Sequence, residues 1–141
     1  MHRIKNAGCK SKEDVVFTIK KIIDDILAES TSLTLIGGDV SSEFSIFELF
    51  VKMLRKLAGS GRRTFVFVLG NHELWNFPGL SVDEIVDKYR TVLKENGMYL
   101  LHNDLFYRNE SDDMGIIPYD ELIQSDNPAI LEKLRCTRLV I

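Results

Sequence analysis

The sequence predicts an α/β fold in which parallel central strands are joined by helices, and three observations carry that prediction. Helical and strand-like patterns alternate from Ser11 to Gly97. The run Thr64 to Leu69 is nearly all apolar, which suits a parallel strand covered on both faces better than a half-wet antiparallel one. Two strand-like runs also end in matching turns: Leu33 to Ile36 runs into Gly37-Gly38-Asp39, and Thr64 to Leu69 runs into Gly70-Asn71-His72-Glu73.

Each element has a local reason. Ser11 opens a capping box with Asp14, after which Val15, Val16, Ile19, Ile22, Ile23, Ile26 and Leu27 recur at helical spacing. Strand Leu33 to Ile36 follows. Ser41 or Ser42 can cap the next helix, whose inward stripe is Phe47, Phe50, Val51, Leu54 and Leu57, and Gly59-Ser60-Gly61 stops it. After the strand Thr64 to Leu69 and the Gly70 turn comes a loop, Leu74 to Leu80. Ser81 and Glu84 then open a helix with Ile85, Val86, Tyr89, Val92 and Leu93 inward, closed by Asn96-Gly97. Beyond it, Met98 to Leu101 and Leu105 to Tyr107 flank His102-Asn103-Asp104 as a hairpin. Gly115 to Pro118 reads as a short strand, Asp126 to Pro128 as a helix start and Thr137 to Ile141 as a last strand.

Composition narrows the class. A chain of 141 residues with 45% apolar and 28% charged residues has the make-up of one globular domain, expected to span residues 1–141. No apolar run approaches the roughly 18 residues that span a bilayer, and Met1 to Lys10 lacks a signal-like apolar core, so the expectation is a cytoplasmic protein with no membrane partner. Cys9 and Cys136 lie at opposite ends without C-x-x-C spacing, which argues against a disulfide framework or zinc knuckle. The net charge of -3 gives no strong general attraction to nucleic acid. The acidic group Glu110, Asp112 and Asp113 lacks calcium-loop spacing and reads as a solvated loop.

The chemistry sits in the two turns. Ligands of an open parallel sheet gather outside the carboxyl ends of its strands, where Asp39 and Asn71 both fall. If the strands are neighbours, these side chains start roughly 5 Å apart, within reach of one metal pair. A carboxylate can bridge two cations, and an Asn carbonyl is a neutral oxygen ligand. His72, beside them, has an imidazole suited to protonating a leaving alkoxide or hydrogen-bonding a phosphoryl oxygen. Gly38 and Gly70 would let the backbone turn sharply and approach bound phosphate. Taken alone, Gly38-Asp39 also describes a plain turn with a capping aspartate; its order with Gly70-Asn71-His72-Glu73 favours the site. For Trp75 and Phe77 the expected role is packing under the loop, with stacking on a substrate base or ring the lesser reading.

At these residues the chain resembles the central part of the calcineurin-like metallophosphoesterase superfamily, over roughly Ser11 to Tyr107. The resemblance implies a layered α/β/β/α sandwich and a phosphoester hydrolase acting through two divalent metal ions, whether Mn, Fe, Zn or Mg. It casts Asp39 as the bridging carboxylate, Asn71 as a ligand to the second ion and His72 as the catalytic imidazole. Glu73 becomes an indirect hold on His72. Substrates would be phosphate-ester small molecules or nucleotides.

The departures shape the expected activity. The superfamily's opening strand with Asp-x-His and its later Gly-His-x-His turn have no counterpart between Met1 and Ile141, and His102 falls in the expected hairpin. Three or more ligands per site are normal for such ions, and a lone Asp39 cannot offset two divalent charges. The expectation is therefore an incomplete domain, an internal piece or a decayed relative, with weak metal affinity, little turnover and self-association through exposed sheet edges. The alternative function is a non-catalytic α/β protein-interaction module.

Overall fold

The computed structural model describes residues 11–29, 32–59 and 63–102, together with the backbone of Phe106–Tyr107 and Gly115–Ile116. The chain gathers into two compact units, Met1–Leu100 and Leu101–Ile141. In the first, helix α1 (Lys12–Ala28) leads to strand β1 (Leu33–Ile36), helix α2 (Phe44–Ala58), strand β2 (Thr64–Phe67), a one-turn helix α3 (Asn71–Leu74), helix α4 (Val82–Glu95) and strand β3 (Tyr99–Leu100). In the second, β4 (Phe106–Tyr107) pairs antiparallel with β5 (Gly115–Ile116). The protein is α/β, with the helix-joined parallel strands that the sequence predicts.

The first unit's sheet has the order β1-β2-β3 and is parallel throughout. Leu33 pairs with Thr64 and Ile36 with Phe67, so β1 and β2 end level with one another. The pairing continues one residue past β2, where the Val68 amide donates to the Ile36 carbonyl at 3.0 Å. Val66 and Phe67 in turn pair with Tyr99 and Leu100. This corrects the hairpin reading of Met98 to Tyr107. The first half of that stretch is a third parallel strand on β2, and Phe106–Tyr107 pairs with β5 instead. The apolar runs on both sides of a polar triplet satisfied the hairpin pattern, but a strand following a helix is free to return to the sheet in parallel.

Alternation along β2 fixes where the core lies. Phe65 and Phe67 point to the same face and meet Ile19 and Ile23 of α1, Phe47, Phe50 and Leu54 of α2, and Ile85, Tyr89 and Leu93 of α4 in one buried cluster. Aromatic rings dominate its centre. Phe47 meets Phe67 at 5.8 Å and Tyr89 at 4.7 Å, both T-shaped, and Phe44 meets Tyr89 at 5.0 Å. On the opposite face Val66 is buried, while its register partners Leu35 and Tyr99 are exposed. Among the described residues no helix is long and apolar enough to cross a membrane.

The helix ends follow the sequence signals with one exception. Ser11 with Asp14 and Ser81 with Glu84 both form reciprocal capping boxes. The Ser81 amide and hydroxyl, bonded to the Glu84 carboxyl, hold it below its usual pKa. Gly59 and Gly97 take the positive φ values, 66° and 62°, that end α2 and α4. The exception is the start of α2, where Glu43 is the N-cap and makes no side-chain cap. The Ser41 hydroxyl instead accepts the Glu43 amide at 3.0 Å. All five inward residues expected of α4 are buried, whereas Leu57 of α2 and Val16 of α1 lie at exposed edges of their stripes. Arg55 ties the carboxyl ends of α2 and α4 together, donating to the carbonyls of Asn96 at 2.6 Å and Gly97 at 2.8 Å. The expected helix start at Asp126 to Pro128, the strand Thr137 to Ile141, the acidic group Glu110 to Asp113 and both cysteines lie outside the described residues.

Tyr89 offers a direct probe of this core. Its ring is fully buried, and its hydroxyl donates to the Glu73 carbonyl at 3.2 Å and accepts from the Asn76 side chain at 3.1 Å. Burial pushes its phenol pKa well above the ordinary value of 10.0. Below about pH 10 the phenol is neutral in both folded and unfolded chains, so its contribution is fully present. Above that, the unfolded chain releases a proton that the folded chain keeps, and stability falls by up to about 1.4 kcal/mol per pH unit. In urea unfolding between pH 9 and 11, taken as roughly the window of this ionisation, Tyr89→Phe should decline less steeply than the wild type by that slope. Parallel declines would show that the phenol is not confined as described.

Candidate functional site

The two turns meet at the carboxyl ends of β1 and β2. Their approach is so close that a Cβ on Gly38 would run into the backbone of Leu69 and Gly70, and one on Gly70 into the backbone and carboxylate of Asp39, in each case at under 3.0 Å. Neither glycine has a positive φ. In the structure they let one turn lie against the other.

Glu73 joins the turns. Its side chain is fully buried, and its two oxygens accept three backbone amides: Asp39 at 2.8 Å, Gly70 at 2.9 Å and Ser41 at 3.1 Å. The Gly70 bond is local, the reach of an N3 glutamate back to the N-cap amide of α3. The other two bridge 34 and 32 residues of sequence. Such a carboxylate loses its hydration on burial, and the three donors offset that loss with charge-assisted bonds. Sequence reasoning gave Glu73 a hold on His72; the structure spends the carboxylate on the amides of Asp39, Ser41 and Gly70. The spacing Gly70-x-x-Glu73, read as an N-cap with its N3 acid, was the available signal for part of this role.

Asp39 is clasped from both ends. It has a φ of 62°, the left-handed region that costs an L-residue roughly 1 to 2 kcal/mol and that Asp tolerates better than most. Its amide is held by Glu73, and its Oδ1 accepts the His72 amide at 3.2 Å. The carboxylate therefore lies on the first turn of α3, against the backbone on either side of Asn71. Asn71 is exposed, with no hydrogen bond from its carboxamide to any described residue. His72 is half-buried; its ring meets the Trp75 indole at 4.8 Å and an interplanar angle of 65°. Beneath them, Asn76 donates to the His72 carbonyl at 3.3 Å and to Tyr89 at 3.1 Å, linking the α3 turn to the aromatic core. Asp39, Asn71 and His72 thus share one lip of the sheet. His102 falls in the other unit.

As a metal centre the lip is short of donors. Asp39 and Asn71 offer side-chain oxygens, but among the described residues no three His, Cys, Asp or Glu side chains cluster as a metal site. Hard divalent ions take six or so ligands each, and one carboxylate does not offset the charge of two ions. The described residues do not fit a complete two-ion centre.

The clamp makes a measurable claim. Glu73→Ala leaves three amides without their acceptor and should lower the unfolding free energy by roughly 3 kcal/mol or more. Glu73→Gln, which keeps one acceptor oxygen but turns an amide donor toward another donor, should cost less. Chemical denaturation checks both; a Glu73→Ala protein within about 0.5 kcal/mol of wild type, the range of an ordinary surface change, would contradict the clamp.

Comparison with curated proteins and with solved structures returns no match. The family model described as calcineurin-like phosphoesterase matches residues 8–136, most of the chain and all of the α/β unit's described elements. That match spans both turns, so the protein whose Asp39 is clamped onto the Asn71-His72 turn belongs to the calcineurin-like phosphoesterase family.

Proposed function

We propose that this chain carries one side of a metal-dependent phosphoester hydrolase site, with Asp39 and Asn71 as metal ligands and His72 as the catalytic imidazole. The observation that supports it most is the Glu73 clamp, which brings a carboxylate from one strand end onto the Asn71-His72 turn of the next. The His72 ring makes no hydrogen bond to a described residue, so its nitrogens are available to a ligand. In this reading the imidazole donates a hydrogen bond to a non-bridging phosphoryl oxygen, or a proton to the departing alkoxide. The substrate is a small phosphate ester or nucleotide, and the site is cytoplasmic. With the donor set short among the described residues, this reading has the chain by itself bind ions weakly and turn over little.

That same shortage favours a second reading, a non-catalytic interaction module built on the phosphoesterase fold, with self-association through sheet edges.

Calorimetric titration with Mn²⁺, run beside an activated phosphodiester assay, separates the readings. The hydrolase reading expects weak Mn²⁺ binding and slow hydrolysis. Asp39→Ala should lose both; His72→Ala should keep the ion and lower the rate by roughly 10² to 10⁴ fold. No hydrolysis in the wild type, at any Mn²⁺ concentration, supports the module. Tight binding of two ions with sustained turnover would refute the claim of an incomplete site, and equal ion loss in both variants would remove His72 from its assigned role.

A further inference from the structure

The loop after the Gly70 turn carries two large aromatics that the structure treats in opposite ways. Phe77 is half-buried, packing T-shaped against Phe44 at 5.2 Å and lying 6.4 Å from Tyr89, so it closes the core as the sequence suggests. Trp75 does not. It stands 66% exposed at the end of α3, although tryptophan is among the residues with most to gain from burial. It is nevertheless held in place: its amide donates to the Asn71 carbonyl at 3.2 Å, and its ring meets the His72 imidazole edge-on at 4.8 Å. A T-shaped contact engages at most one face of the indole, and the exposure leaves a broad apolar surface open to water directly beside the imidazole.

We propose that Trp75 is a stacking platform for the base of a nucleoside phosphate, so that the site takes base-bearing phosphate esters in preference to base-free ones. Three features support a planar ring as the occupant. The indole's backbone is fixed at the end of α3 and its ring already contacts the His72 imidazole, which limits the ordering cost of stacking on it. It adjoins His72, so a base on the indole leaves its phosphate in the neighbourhood of the imidazole and of Asn71. Base–aromatic stacking is also tolerant of base identity, and it adds affinity where a net-negative protein gives an anionic ligand little general attraction. The inference rests on the hydrolase reading for the fate of the phosphate, but not for the stacking itself.

Trp75 is the sole tryptophan, so the emission of the whole chain reports on this position alone. The 141-residue protein is titrated with AMP, adenosine and ribose 5-phosphate while tryptophan emission is followed, and binding is measured in parallel by calorimetry. AMP and adenosine should quench emission saturably, and ribose 5-phosphate should not. Trp75→Ala should bind AMP roughly tenfold or more weakly, with ribose 5-phosphate unaffected, and Trp75→Phe should recover most of the loss. Far-ultraviolet circular dichroism confirms that the exposed substitutions leave the fold intact. AMP binding without a change in emission, equal AMP affinity in Trp75→Ala, or no binding of either AMP or adenosine at millimolar concentrations would each overturn the platform. Quenching with no hydrolysis of any ester sustains the platform and counts against the hydrolase, whereas hydrolysis that treats AMP and ribose 5-phosphate alike, unchanged by Trp75→Ala, does the reverse.

Discussion

A single buried carboxylate holds the two turns of the site together, and most of what surrounds it follows from that bond pattern. Glu73 sits on α3 immediately after β2, yet two of its three hydrogen bonds go to amides beyond β1. Without an acceptor there, the Asp39 and Ser41 amides would be left unpaired in a partly buried or buried setting. The arrangement also explains why both Gly38 and Gly70 must lack side chains, since the distance that lets Glu73 reach across leaves no room for a Cβ on either turn. Asp39 accepts a left-handed backbone as part of the same geometry, compensated by bonds at its amide and its carboxylate.

The clamp is anchored from below by the aromatic core. Tyr89 of α4 reaches the Glu73 carbonyl, and Asn76 joins the same phenol to the His72 carbonyl. The α3 turn is thus held by Tyr89 from the next helix and Asn76 from the intervening loop as well as by its own backbone, and the same Tyr89 ring packs against Phe47 in the core. Packing and site are one construction here: rigid rings support a short turn that has too few internal hydrogen bonds to stand alone.

How much of this the sequence disclosed depends on the range of each interaction. The capping boxes at Ser11 and Ser81, the five-residue stripe of α4 and the glycines that end α2 and α4 are local, and their spacing shows directly in the chain. The pairing of β1 with β2 was legible from buried strand composition and the intervening helix. The destination of Tyr99–Leu100 was not, because two residues of strand look alike whether they fold back as a hairpin or return in parallel. Phe77 and Trp75 share a loop and an aromatic character, and only tertiary structure separates the one that covers the core from the one left in water. The role of Glu73 was half visible: its reach to Gly70 is a matter of three residues, but its bonds to Asp39 and Ser41 cross to the other turn, and no local pattern encodes which amides a side chain meets there.

The family match places the clamp in a calcineurin-like phosphoesterase domain, and among the described residues no three His, Cys, Asp or Glu side chains cluster as a metal site. The central physical claim is that Glu73 couples the two turns, and residue-resolved amide hydrogen exchange tests it most directly. If the coupling is real, the amides of Asp39, Ser41 and Gly70 exchange as slowly as the strands they follow, and all three become fast together in Glu73→Ala while the amides of α2 and β2 keep more of their protection. Fast exchange at these three positions in the wild type, or protection that survives the substitution, would contradict the account.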